Sequence, residues 1–170
     1  IRLQNALGQR LWTSTLQPSV LQEALKTADV AIGAIRGAAQ RAPMVVSEPM
    51  VAGMRRGTVI VDVTIDRGGC FETSRITSHE RPTYTEMEVI HYCVPNMPSR
   101  VSRTASKALS NIMAPLLLDF ASDGGVETSM RKNHIARSGV YMFNGTITHE
   151  GLAKEAGLPC KDLDLLLTAF

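Results

Sequence analysis

Between Thr58 and Arg75 the chain reads TVIVDVTIDRGGCFETSR, and this stretch constrains the fold more than any other. Val59, Ile60, Val61 and Val63 form a short β-branched run, the pattern of a central parallel strand buried on both faces. The run then breaks open at Asp66, Arg67, Gly68 and Gly69. A carboxylate just past the C-terminal end of a parallel strand, followed by glycines that let the backbone turn tightly, lies where open α/β sheets hold their ligands. Asp66 is therefore the first candidate functional residue. The same Asp-x-Gly-Gly spacing also suits a solvated turn acid or a cap.

The composition removes several function classes. With 170 residues, 44% apolar and 20% charged, the chain has the size and balance of one globular domain with a sizeable core. Its formal charge is only +2, and its arginines are scattered, as at Arg55-Arg56, Arg100 and Arg103, without interleaved aromatics, so no nucleic-acid partner is expected. The most apolar stretch, 112–121, is interrupted by Pro115 and Asp119 and falls short of the ~18 to 20 residues a membrane span needs, so a soluble chain is expected. Cys70, Cys93 and Cys160 are odd in number and lack C-x-x-C spacing, which argues against a disulfide framework or a zinc site. Reduced cytoplasmic thiols packed in the core are the expectation. Cys70, Cys93 and His91 could meet as metal ligands, but buried free cysteines ordinarily behave as small hydrophobes, and no metal is expected.

Taken in order, Ile1, Leu3 and Leu7 form one face of a helix ending at Gly8, so the chain opens in mid-element. Arg10 to Thr15 alternates and predicts a strand; Pro18 then starts a helix carrying Val20, Leu21, Ala24, Leu25 and Ala28. Val30 to Ile32 predicts a strand stopped by Gly33, and the small-residue loop 34–43 beyond it is a second candidate ligand contact. Ser47 can cap a short helix with Glu48 and Pro49 in its first turn. After an irregular stretch, 74–88, a further strand is expected over Val89 to Val94. Strand centres near Trp12, Ala31, Ile60 and Tyr92 recur at about the length of a βαβ unit, the organisation of a Rossmann-like doubly wound parallel sheet. No G-x-G-x-x-G occurs, so this α/β chain reads as the second half of such a sheet, its phosphate-binding strand expected upstream of Ile1. Residues 102–122 then predict one long helix, kinked at Pro115, with Leu109, Ile112, Leu116 and Phe120 on its apolar side. A hairpin with Asn144-Gly145 at its tip and two short helices close the chain, elements too small to make a core alone and expected to return to a catalytic domain not present here.

Two motifs, Ile65-Asp66-x-Gly68-Gly69-Cys70 and His91-Tyr92-Cys93-Val94-x-Asn96-Met97-Pro98, in this order and separation, give the chain its resemblance to the C-terminal half of alanine dehydrogenases. The resemblance covers essentially the whole chain. It implies NAD-dependent oxidative deamination of L-alanine to pyruvate and ammonia, as part of amino-acid catabolism in a cytoplasmic homo-hexamer. It divides the chain into residues 1–98, a partial NAD-binding domain, and 99–170, a linking helix and a segment completing the catalytic domain. Asp66 matches the family's catalytic carboxylate; the cofactor contacts fall on Ile35, Arg36, Val63, Thr64, Ile65, Asp66, Arg75, Val94, Pro95, Asn96 and Met97. Met97 reads as a lid on the nicotinamide, with plain packing as the alternative. Arg67 stands where the family usually has Gln, and Arg36 where an apolar residue is commoner. Arg67 could lower the pKa of Asp66 or point to solvent, and exposed Arg is the ordinary case. The competing reading is an NAD(H)-binding module of a transhydrogenase type, without amino-acid chemistry of its own.

Overall fold

The computed structural model describes residues 2–37 and 41–169; Ile1, Phe170 and, within the loop 34–43, Ala38, Ala39 and Gln40 lie outside the described residues. The chain divides into two compact units, Ile1–Met97 and Pro98–Phe170.

In the first unit, helix α1 (Arg2–Leu7) ends at Gly8, whose φ of +63° is the left-handed turn a helix end favours. Helix α2 (Pro18–Thr27) begins on Pro18, where the missing N–H has no helical partner to lose, and buries Leu25. Strand β1 (Val30–Gly33), helix α3 (Glu48–Ala52), strand β2 (Val59–Asp62) and strands β3 (Thr83–Glu86) and β4 (Val89–Tyr92) follow. The sheet order is β1-β2-β4-β3, with β1, β2 and β4 parallel and β3 antiparallel to β4. Leu25 of α2 and Val51 of α3 pack with Ala31, Ile60, Phe71 and Val89 to form the core on one face of this sheet.

Several expectations change here, each for a local reason. Residues 10–17 form no strand, and Trp12 is 73% exposed: a β-prone alternation needs a neighbouring strand to bond, and none is supplied among the described residues. Strand β2 is fully buried only on the face of Ile60 and Asp62; Val59 and Val61 on the other face are half-buried. The stretch 74–88 is not irregular throughout, because β3 returns on β4 through a two-residue turn at Met87 and Glu88, with φ of +52° and +62°. That turn type ordinarily announces itself with Asn or Gly, and neither is present. Ser47 precedes α3 without a side-chain cap; Glu72 reaches across instead, accepting the Glu48 N–H at 2.7 Å. Cys70 and Cys93 are core residues as expected, whereas Cys160 is exposed.

The second unit contains the long helix α4 (Ser102–Ser122), helices α5 (Val126–Lys132) and α6 (His134–Ser138), the hairpin β5 (Met142–Phe143) and β6 (Thr146–Ile147), and helices α7 (Glu150–Ala156) and α8 (Leu163–Ala169). Asn144 and Gly145 take the positive φ values, +46° and +74°, that the hairpin tip requires. These elements do share a small core of their own, in which Met130, Ala136, Phe143 and Leu167 pack with Phe120 from α4. Of the expected apolar side of α4, Leu116 and Phe120 are half-buried while Leu109 and Ile112 are exposed.

At Gly33 a Cβ would lie 2.4 Å from the Cys70 sulfur and 2.6 Å from the Phe71 ring, both anchored in the core. Gly33→Ala should therefore destabilise by about 1–3 kcal/mol, the ordinary cost of overpacking. Gly53→Ala is the control, since its backbone is right-handed helical and the nearest atom to the new methyl is 3.5 Å away. Thermal denaturation of both variants checks this: Gly33→Ala should melt lower and Gly53→Ala close to the parent.

Candidate functional site

The carboxyl ends of β1, β2 and β4 lie along one edge of the parallel sheet, and the segments leaving them carry most of the residues singled out by the sequence. The geometry of that edge begins with a residue the sequence reading passed over. Asp62, the last residue of β2, pairs in register with Gly33 and shares the buried face with Ile60, which leaves its carboxylate with 0% exposure. Four N–H and O–H donors meet it. The Thr64 N–H at 2.9 Å and the Thr64 hydroxyl at 2.6 Å donate to Oδ1. The Cys70 N–H at 3.0 Å and the Ser74 hydroxyl at 2.7 Å donate to Oδ2. Hydrogen bonds to an ionised acceptor are the strong ones, and a buried carboxylate deprived of them costs several kcal/mol.

These bonds fold residues 64–74 back over the strand end. A single 3₁₀ turn, Ile65–Arg67, is closed by Gly68 at φ +96° and followed by Gly69 at φ +80°. Gly69 is required twice over, because a Cβ there would also lie 2.7 Å from Asp62 Oδ2. Ile65 turns into the core, so the next residue, Asp66, faces outward and is exposed. Its Oδ1 accepts the Asn96 N–H at 2.9 Å, joining the segment after β2 to the segment after β4. Asn96 sits at φ +52°, a left-handed conformation that Asn tolerates better than most residues. The segment after β1 is joined to the same edge: Gly33 accepts the Val63 N–H at 2.8 Å, and Arg67 accepts the Ala42 N–H at 2.9 Å.

The structure thus brings Ile35, Arg36, Val63, Thr64, Ile65, Asp66, Val94, Pro95, Asn96 and Met97 to the segments leaving three adjacent strand ends. Their side chains divide. Arg36, Val63, Asp66 and Asn96 are exposed, and Pro95 and Met97 half-buried; Thr64, Ile65 and Val94 turn inward and offer an incoming ligand their backbone only. Arg67 is half-buried. Arg75 is held apart, its guanidinium 4.0 Å above the Tyr84 ring and 3.4 Å from a Glu86 oxygen of β3.

Asp62 had one signal in the sequence, a charged residue inside the otherwise β-branched run Val59–Val63 and in phase with Ile60. Ser74 had none. It donates to Asp62 and accepts from the Cys93 thiol at 3.6 Å, linking β2 to β4. Next to it, His91 is fully buried: its Nδ1 donates to the Val89 carbonyl at 3.0 Å, its Nε2 accepts from the Thr73 hydroxyl at 2.8 Å, and its ring stacks on Tyr84. Both nitrogens are engaged by the neutral ring, so His91 is structural. Burial holds its pKa below the usual 6.5. Burial likewise pushes the Cys70 thiol up, with the Asp62 carboxylate adding to the effect, which makes Cys70 a poor nucleophile. Burial also raises the Tyr84 phenol, whose hydroxyl donates to the Thr73 carbonyl at 2.7 Å and accepts the Arg75 N–H at 2.9 Å.

A parallel α/β sheet whose strand ends present an exposed carboxylate beside a row of loop backbone defines a ligand-binding unit of the Rossmann type. The chain belongs to the family described as alanine dehydrogenase/PNT, C-terminal domain, whose family model matches residues 2–150. It is 37% identical over 167 residues to an alanine dehydrogenase of Lysinibacillus sphaericus, an alignment covering 98% of this chain and 45% of that protein. It is 39% identical over 157 residues to an alanine dehydrogenase of Bacillus subtilis, covering 92% and 41%. A solved L-alanine dehydrogenase superposes with a TM-score of 0.77 at 34% identity, over 92% of this chain and 43% of that one. A transhydrogenase from Sinorhizobium meliloti shares the fold alone, at a TM-score of 0.63 and 18% identity over 86% of this chain and 38% of the other. The chain therefore spans less than half the length of the relatives it matches.

His91 gives the site a pH dependence of known sign. The unfolded chain takes up a proton near the ordinary value of about 6.5, whereas the folded chain resists it to lower pH, so the unfolded state binds more protons in between. Stability from this group is present above pH ~6.5 and is lost as pH falls from there toward the depressed folded value. The melting temperature of the parent should fall on acidification below that point, and His91→Gln should show a shallower fall. Equal slopes for the two proteins would contradict the assignment.

Proposed function

We propose that this chain is the nicotinamide-side part of an NAD-dependent L-alanine dehydrogenase, catalysing L-alanine + NAD⁺ + water to pyruvate + ammonium + NADH + H⁺. The observation that carries the proposal is the exposed Asp66 carboxylate fixed by the Asn96 N–H at the carboxyl ends of β2 and β4, in a chain of this family. NAD, when bound, supplies the hydride acceptor. The edge fits such a group: the segments after β1, β2 and β4 offer backbone at one side of a sheet, beside the exposed Asp66 carboxylate. Ile35, Arg36, the backbone of residues 63–65, and Val94 through Met97 would hold it, with Met97 against the ring and Arg75 at the periphery.

Asp66 has a defined task in that reaction. As the α-hydrogen leaves L-alanine, the substrate nitrogen passes from an amine to a positively charged iminium, which water then converts to pyruvate and ammonium. A carboxylate already held in place by a backbone N–H stabilises that charge without having to reorganise, which mobile water cannot do. The Asn96 bond leaves Asp66 oriented rather than free to rotate.

Residues 1–98 then serve as part of an NAD-binding domain, and 99–170 as a linking helix and a segment of the catalytic domain. In this reading the full subunit works as a cytoplasmic homo-hexamer in amino-acid breakdown, with L-alanine and pyruvate as its small-molecule partners. The family supports the reading. Among the described residues no helix is long and apolar enough to cross a membrane.

The test is alanine-dependent NADH formation by the full-length protein and its Asp66→Asn variant. The amide keeps shape and removes charge, so kcat should fall on the order of 10² to 10³, about 3–4 kcal/mol, with NAD affinity and melting temperature nearly unchanged. Near-normal turnover by the variant would return Asp66 to a turn acid. NAD(H) binding by the parent without any alanine turnover would favour the module without substrate chemistry.

A further inference from the structure

We infer that Asp62 is the positioning residue for Asp66, acting through two separate arms that end on the two partners of a single hydrogen bond. This rests on the proposed role of Asp66. The first arm is local. Asp62 Oδ1 takes the Thr64 N–H and hydroxyl, and Oδ2 takes the Cys70 N–H, so the residues bracketing the turn that carries Asp66 are pinned at both ends to one buried carboxylate. The second arm crosses the sheet. Asp62 Oδ2 holds the Ser74 hydroxyl at 2.7 Å, and Ser74 in turn receives the Cys93 thiol at 3.6 Å, three residues before Asn96, whose N–H meets Asp66.

The turn does not need this acid in order to close. Arg67 N–H and Gly69 N–H donate to the Thr64 carbonyl, and Gly68 N–H donates to that of Ile65, which completes the backbone bonding without any side chain. A fully buried carboxylate is an expensive way to hold a loop, since an apolar side chain of similar volume is commonly as stable or more so. What the carboxylate adds is direction. It accepts from donors at both ends of the Asp66 turn and from Ser74, and through the Ser74–Cys93 bond it ties the Asn96 segment to the same strand end. A displacement of about 1 Å at a catalytic group can cost on the order of 10²-fold in rate, so this tie is visible in catalysis before it is visible in folding.

The experiment uses the full-length protein. Asp62→Asn places an amide N–H₂ among donors and is the severe variant; Ser74→Ala removes one donor and breaks only the cross-sheet arm. Ser74→Ala should lower kcat for alanine oxidation on the order of 10-fold, with the NAD dissociation constant unchanged within about 2-fold. The decisive measurement repeats the substitution in an Asp66→Asn background. If Ser74 and Asp62 act through Asp66, Ser74→Ala should cost nothing further there, because residues working as one unit are strongly non-additive. The same fold loss in both backgrounds, or unaltered kcat in a folded Ser74→Ala protein, would overturn the inference while leaving the proposed reaction intact. A parent protein that forms no NADH from alanine would overturn the reaction, and this inference with it.

Discussion

The carboxylate of Asp62, sealed in the sheet and answered by hydrogen bonds, is the constraint on which the rest of the edge depends. It stands at the end of β2 beside Gly33 and under Gly69, and both glycines are sites where a Cβ would strike the core or the carboxylate itself. A strand end of this kind cannot drift. Breaking one of its bonds leaves the buried carboxylate one donor short and frees the segment that supplied that donor from the strand end. The backbone of 64–74 and the end of β4 are therefore held to one geometry, and the exposed chemistry at Asp66 inherits it.

Two aspartates four residues apart thus have opposite environments. Asp62 is enclosed by donors and faces inward, while Asp66 is exposed and keeps one oxygen on the Asn96 N–H. The 3₁₀ turn makes this division, because it turns Ile65 into the core and Asp66 out of it within two residues. His91 and Thr73 continue the buried polar layer, and the half-buried Tyr84 of β3 joins it through the Thr73 carbonyl and by stacking on His91.

What could be read from the sequence was whatever is local. The long helix announces itself by its apolar spacing and is found at Ser102–Ser122, and the hairpin at Asn144-Gly145 has the residues its positive φ values require. Asp66 was legible because turn glycines follow a β-branched run. Asp62 was passed over because its neighbours set the pattern of the strand and a single inward acid does not disturb it; its partners Cys70 and Ser74 lie 8 and 12 residues away. The β3 hairpin was hidden because Met87 and Glu88 occupy a turn that usually carries Asn or Gly. The false strand at 10–15 and the missing Ser47 cap have a common origin. Propensity names what a segment can do, whereas a pairing strand, or a carboxylate such as Glu72, arrives from far along the chain.

The most direct test of the account is a crystal structure of the full-length protein with NADH bound. The account predicts the nicotinamide ring against the strand-end edge, in van der Waals contact, about 4 Å, with the Asp66–Asn96 pair, and that pair still joined. A nicotinamide placed away from these strand ends, with Asp66 in open solvent, would contradict it.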